Sequence, residues 1–443
     1  MRVPISPTFL TISILLSSAF VSSSAVSSCK SPRENAVATN KVPSSSPKAP
    51  EFVQSAWFAG WHDDDPDHSF NVPDISWDKY THMTYAFATT TSDVSELSIT
   101  SQDEQVMPQL VQAAHKHNVS VSISVGGWTG SQYFSTAVAT PQNRTQFVNT
   151  LANFVEKWGF DGIDFDWEYP NHQGIGCNII SDNDTPNFLA LLQELRSTSR
   201  TSQLILSAAT SLTPFADASG NPSTDVSGFA DVLDFIEMMN YDVWGPWSSA
   251  VGPNAPLNDT CAAPANQQGS AVSGVRAWTE AGIPPHKIVL GVASYGHSFS
   301  VTPQNAIQNG KLVPYPSFSA SNQPAGDAWD DQPGTDVCGN FEGAGGNFDF
   351  WGLIAGGFLT AEGKPASGIY YRFDDCSQTA YVYNPKTQVQ VSFDDMRSAE
   401  AKGRYITETR LRGFSTWEAG GDSKDLLLDA ILNGIDPAVQ FCD

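Results

Sequence analysis

Residues 161–168 read DGIDFDWE, which sets Asp161, Asp164, Asp166 and Glu168 among Gly, Ile, Phe and Trp. Like charges this close repel one another, and burying them is costly. In a strand, successive side chains alternate faces. Asp164, Asp166 and Glu168 would then share one face, and Ile163, Phe165 and Trp167 the other. Each two-residue step covers ~6.6 Å. Three acids in one low-dielectric row cannot all ionise, so at least one proton is held among them. Glu168, the outermost, is expected to stay protonated near neutral pH, which suits a general acid. Asp166 can relay and orient, and Asp164 can hold a proton or an internal hydrogen bond. A calcium cage would carry Gly and Asn and lack the flanking Ile, Phe and Trp. Neither a metal nor a cofactor is expected.

Such a row needs a rigid frame. Strand candidates occur at 53–60, 82–88, 119–126, 161–168, 203–209, 234–241, 287–294 and 411–417. Amphipathic stretches follow at 103–117, 142–158, 186–200, 267–282 and 424–433. Eight strand-then-helix units predict an α/β fold, a (β/α)8 TIM barrel. A doubly wound open sheet is the alternative, but no Gly-rich phosphate loop follows the first strand. Barrel enzymes place their chemistry at the C-terminal mouth of the strands. Glu168 would sit at that opening, with Tyr169-Pro170 ending its strand. The connection from the seventh strand to the eighth is far too long for a helix alone. Residues 300–390 read as a small α+β insertion, with a strand meander turning at NPKT. No internal repeat is visible.

The remaining composition narrows the setting. Basic residues number 23 and acidic ones 47, a net charge of -24, which repels nucleic acid and anionic membranes and favours a neutral ligand. Aromatics include 12 Trp, a supply of flat apolar faces, although most large rings serve as core. Residues 1–25 combine an early Arg, a short apolar run and small residues, the pattern of a secretory signal peptide. Residues 26–50 read as a flexible Ser/Pro-rich leader, and 51–443 as the catalytic barrel. No other stretch approaches the ~20 apolar residues of a spanning helix. A secreted, extracellular monomer without membrane contact is expected. Cys29, Cys177, Cys261, Cys338, Cys376 and Cys442 suit an oxidising compartment. They allow about 15 pairings, among which the sequence does not choose. Asn118, Asn143 and Asn258 head glycosylation sequons; a fourth, at Asn183, is weakened by Pro186. His115 and His117 read as an exposed helix end rather than a metal site.

DGIDFDWE resembles the DxxDxDxE signature of glycoside hydrolase family 18, the chitinases. SISVGGW resembles the family's SxGG through Ser124, Gly126 and Gly127. MNYD, from Met239 to Asp242, resembles its MxYD, and YAFA at 85–88 its second strand. SFDDMRSAEAK resembles the segment after the insertion, and Trp417 the Trp that floors the site. The resemblance spans about 52–433. It implies hydrolysis of chitin or chitooligosaccharides with substrate assistance, the exception to the two-carboxylate scheme. On that basis Glu168 is the acid/base, and Asp166 holds the acetamido N–H and stabilises the oxazolinium. Tyr241 donates to the acetamido oxygen, and Asp164 completes the catalytic row. Asp161 is the outer signature acid and reads more readily as structural. Met239, Asp242, Gly127 and Tyr295 should line the cleft. Trp128 and Trp247 are candidate stacking platforms, and Trp244 is open between cleft and core. Of Tyr85 and Phe87, at least one should fill the barrel. ASYGHSF departs from the family's Tyr-Gly-Arg by placing His297 where Arg is usual, which implies an altered subsite. An endoglycosidase acting on N-glycan cores and a catalytically silent chitin-binding lectin are the alternatives; such lectins typically lack the terminal Glu.

Overall fold

The computed structural model describes residues 49–63 and 68–436. The expected signal peptide, most of the leader, Cys29 and Cys442 lie outside the described residues. Seven barrel strands come first: β1 Val53–Ala59, β2 His82–Thr90, β3 Ser120–Gly126, β4 Gly162–Asp166, β5 Ile205–Thr210, β6 Phe235–Met238 and β7 Ile288–Ala293. Five further strands, β8 Tyr295–Ser300, β9 Asn347–Asp349, β10 Tyr370–Asp374, β11 Thr379–Asn384 and β12 Val389–Phe393, precede β13 Gly413–Trp417. β1 to β7 and β13 pair in parallel, and β1 joins both β2 and β13, so the sheet closes into an eight-stranded barrel.

Period-two alternation explains the interior. Val53, Ile205, Phe235 and Val289 form a small apolar cluster at the start of their strands. Two residues on, the same strands carry Ser55, Ser207 and Glu237, buried beside Asp164 and Ser415. Two further on come Trp57 and Ala209, which pack with Ala86, Phe87, Met239 and Trp417. The apolar floor and aromatic mouth thus bracket a polar middle, the layering that barrel strands impose. Outward residues such as Phe58, Ile123, Phe165 and Ile236 join the main core under the helices.

Helices α1 Asp103–Lys116, α2 Pro141–Trp158, α3 Asp184–Ser197 and α4 Ala271–Glu280 follow β2, β3, β4 and β6. α5 Met396–Thr409 precedes β13, and α6 Leu426–Gly434 follows it. The helical ring is incomplete. Only 3-10 turns follow β1, and a single turn at Ser227–Ala230 follows β5. Trp167 packs outward on Phe134 at 5.0 Å and Phe188 at 5.5 Å. No helix among the described residues is long and apolar enough to cross a membrane.

The inserted sheet runs in the order β9-β8-β12-β11-β10, all antiparallel. It starts at Tyr295 rather than at 300, because Ser294 alone separates β7 from β8. The Ser294 hydroxyl donates to the Glu418 carbonyl at 2.7 Å and accepts the Glu418 N–H at 2.8 Å. Its own carbonyl accepts the Phe350 N–H at 2.8 Å. Disulfides join Cys177 to Cys338 and Cys261 to Cys376.

Below the barrel wall, fully buried Lys402 of α5 pairs with buried Asp394. Breaking a buried pair from one side strands the other charge. Lys402→Met is expected to cost about 3–5 kcal/mol in chemical denaturation, and Asp394→Asn added to it to recover part of that loss. A single variant as stable as wild type would refute the pair's role.

Candidate active site at the barrel mouth

The carboxylate row runs along β4. Asp164 is fully buried and accepts hydroxyls from Ser124 at 2.7 Å and Ser207 at 2.8 Å. Burial nevertheless raises its pKa. Asp166 pairs in register with Gly126 at the end of the strand. Its Oδ1 is buried without a hydrogen-bond partner. Burial, then the charges of Glu168 and Asp164, push its pKa well above the usual range.

β4 stops at Asp166, short of the expected 168, because a side chain takes over from the ladder. The Ser131 hydroxyl donates to the Asp166 carbonyl at 2.9 Å and accepts the Glu168 N–H at 3.1 Å. The Asn178 amide donates to the Glu168 carbonyl at 2.7 Å. Glu168 therefore stands just beyond the strand, 9% exposed, with its pKa pushed up to about 7, chiefly by burial. The peptides Ala86–Phe87, Glu168–Tyr169 and Trp417–Glu418, all at the mouth, are cis.

Gly126 and Gly127 permit this approach. Both have positive φ, and a Cβ on Gly126 would lie 2.1 Å from the Asp166 carbonyl oxygen. The Gly127 N–H donates to that same carbonyl at 2.8 Å, and its Cα faces the Phe87 ring.

Tyr241 follows β6 and faces the row; burial and the charges of Asp166, Asp242 and Glu168 raise its pKa. Asp242 accepts the Tyr295 hydroxyl at 2.6 Å and the His297 Nε2 at 2.7 Å. His297 is thus a buried support for Asp242, with Trp247 edge-on to it at 5.2 Å. Trp417 is half-buried against Phe87 at 5.6 Å, and Met239 packs in the same cluster. Trp128 and Trp247 stand exposed.

Other expected residues lie elsewhere. Asp161 precedes β4 at the opposite end of the barrel, where it accepts the Val121 N–H and pairs with His115 at 3.0 Å. His115 is exposed in the last turn of α1, as expected, and is also the partner of Asp161. Trp244 is core, and Tyr85 is buried with its hydroxyl on Asp103 at 2.7 Å. Asn118 is exposed in a left-handed turn, Asn143 donates its amide to Thr136, and Asn258 accepts from Thr260.

Three groups escaped sequence reading. Glu237 is fully buried, and neither of its carboxyl oxygens has an aligned hydrogen-bond partner. Burial and Asp164 raise its pKa well above normal. It alternates with Met239 and Tyr241, a period-two signal that was available. Trp61, exposed just past β1, stacks on Phe87 at 6.0 Å and approaches Trp417 at 6.2 Å. Behind Trp417 lie half-buried Asp327 and Asp349 and buried Glu418; desolvation pushes Asp327 up to about 6 and Glu418 up to about 8, and raises Asp349 well above normal. Among the described residues no group of His, Cys, Asp and Glu is arranged to hold a metal ion.

A closed barrel with a row of proton-sharing acids at its mouth, an aromatic floor and an inserted wall defines a glycosidase-type scaffold. The family described as "Glycosyl hydrolases family 18" matches residues 55–422, and the chain belongs to it. A "chitinase-like effector" of Moniliophthora roreri is 53% identical over 385 residues, covering 86% of this chain and 92% of that one. Chitinase A1 of Niallia circulans is 31% identical over 70% of this chain and 42% of its own length. The crystal structure of a chitinase from Rhizomucor miehei superposes with a TM-score of 0.75 at 35% identity, covering 86% of this chain and 99% of that one.

Proposed function

We propose that the chain is a secreted chitinase that hydrolyses β-1,4 bonds between N-acetylglucosamine units with retention and substrate assistance. One observation carries this reading: Glu168, with its pKa pushed up to about 7, stands next to an Asp166 whose Oδ1 lacks a partner. A buried, unsatisfied acceptor is costly unless a ligand supplies the donor. An acetamido N–H is such a donor. The sugar's own carbonyl oxygen then attacks its anomeric carbon, and Asp166 faces the developing positive charge. Glu168 protonates the departing glycosidic oxygen and afterwards takes a proton from the incoming water. Tyr241 donates its hydroxyl to the acetamido oxygen; its raised pKa keeps that proton in place. Trp417, Phe87 and Trp61 offer apolar faces to successive rings. Trp128 and Trp247 do so across the scissile bond, and Met239, Asp242, Tyr295 and Gly127 shape the walls.

The test is product analysis on the N-acetylglucosamine hexamer with anomer resolution at early times. Release of β-anomeric dimers and trimers is expected. α-Anomers, or no cleavage, would reject the proposal. A second reading is favoured by the description of the Moniliophthora relatives as "chitinase-like effector": binding of chitooligosaccharide without turnover. It predicts measurable binding and no products. The presence of Glu168 supports the enzyme.

Asp166→Asn is expected to lower kcat strongly and to move the pH–rate profile, because it removes an ionisable neighbour that shares the row with Glu168. The group that limits activity is Glu168 in its protonated form, so wild-type activity should fall as pH rises through about 7. A profile unchanged in the variant would refute the coupling.

A further inference from the structure

The insertion carries a hairpin that leaves the molecular surface. Residues 331–343 are exposed at every position except Asp336 and Cys338. Gly334–Thr335 pairs antiparallel with Phe341–Glu342, and the Asp336 carboxylate caps the turn by accepting the Cys338 and Asn340 N–H groups. Its two ends meet at the base, where the Gly345 N–H donates to the Asp331 carbonyl at 3.1 Å. Buried Asp330 fixes that base by accepting the Gly326 and Asn347 N–H groups.

The base and the tip stand on opposite sides of the mouth. Beside the base, Trp329 stacks on His62 at 3.6 Å, and His62 lies 3.8 Å from Glu418, next to the floor residue Trp417. At the tip, Cys338 is bonded to Cys177. Asn178, the next residue, is the one that holds the Glu168 carbonyl. Glu168 stands just past the end of β4, and Trp417 ends β13. In the closed ring these strands are four steps apart in either direction, the greatest separation the barrel allows. A hairpin rooted beside one and bonded beside the other, and exposed along its length, spans the opening rather than resting on the rim.

We propose that this hairpin is a covalently closed strap over the cleft, so that a chitin chain enters by threading an end and not by sideways capture of an internal segment. The proposal rests on the chitinase reading above. It gives the substrate class a further restriction: free chain ends. Short oligosaccharides thread without difficulty, whereas a long polymer is cut progressively from its end.

The test uses the full chain on two substrates, the N-acetylglucosamine hexamer and soluble glycol-chitin. Wild type is expected to release reducing ends from glycol-chitin while its viscosity stays nearly constant. Cys177→Ser with Cys338→Ser should increase the viscosity lost per bond cut several-fold and leave hexamer turnover unchanged. Replacement of residues 332–344 by a Gly-Gly link, with Cys177→Ser, should do the same; it joins residues that are already hydrogen-bonded. Wild type that thins the polymer as fast per bond cut as the opened variants overturns the strap. If the opened variants fail to fold, the wild-type ratio decides alone: rapid thinning overturns the proposal and slow thinning upholds it. Absence of hexamer cleavage by wild type overturns the chitinase reading itself, and the strap's role with it.

Discussion

Glu168→Gln is expected to bind chitooligosaccharide about as well as wild type and to cleave it roughly 10²–10⁴-fold more slowly, the range contributed by a general acid. Gln has nearly the same shape, so the backbone contacts from Ser131 and Asn178 have no reason to change. It removes the one proton that can reach the departing oxygen. It also removes a charge that opposes ionisation of Asp166, so Asp166 should titrate lower in the variant. Calorimetric binding of the hexamer, paired with single-turnover cleavage, checks both halves. Undiminished turnover would end the assignment. Equal binding with no turnover in wild type as well as in the variant would move the chain to the binding-only reading.

The second large effect is on stability: thermal unfolding is expected at a lower temperature at pH 8 than at pH 5. Burial holds Glu168 up to about 7, Glu418 up to about 8, and Asp327 and Asp394 up to about 6. The unfolded chain releases these protons near pH 4. Between there and pH 8 the native state binds more protons than the unfolded state, so stability falls as pH rises. The contribution is fully present below the unfolded values and is lost as pH passes through the folded ones. One unit is worth about 1.4 kcal/mol, so Glu168 alone accounts for roughly 3 kcal/mol. Neighbouring acids share protons, so the total is several kcal/mol rather than a simple sum. Calorimetry at the two pH values decides the matter, and Glu418→Gln should flatten the dependence. A melting temperature that is level or higher at pH 8 would contradict the burial argument.

What the sequence disclosed was periodic or local. Alternation in DGIDFDWE sorted Asp164 and Asp166 inward and Trp167 outward, and the paired glycines marked where β3 must admit the Asp166 carbonyl. The end of β4 was not legible, because it depends on a hydroxyl 35 residues away in sequence from the carbonyl it meets. Glu237 carried the alternation signal, but a single acid in an apolar strand does not announce a neighbour contributed by another strand. Trp61 lies beyond its strand in a 3-10 turn, where alternation no longer predicts direction. Tyr85 and Phe87 are two residues apart on one strand yet end on different sides of the wall, because the β2–β3 register shifts between Tyr85 and Ala88. The link between Cys177 and Cys338 spans 161 residues, and nothing local specifies it.

Ser294 has a mechanical consequence. One hydroxyl and one carbonyl tie the end of β7, the residue after β13 and Phe350, the residue after β9, at a single point. A wall fastened in this way has no hinge, since a swing would have to break buried hydrogen bonds at the root. The root of the wall is therefore expected to hold its place whether the groove is empty or filled. On the substrate-assisted reading proposed above, the bending needed to bring the acetamido oxygen behind the anomeric carbon would fall on the sugar, with the protein as a fixed mould and the polysaccharide as the part that yields.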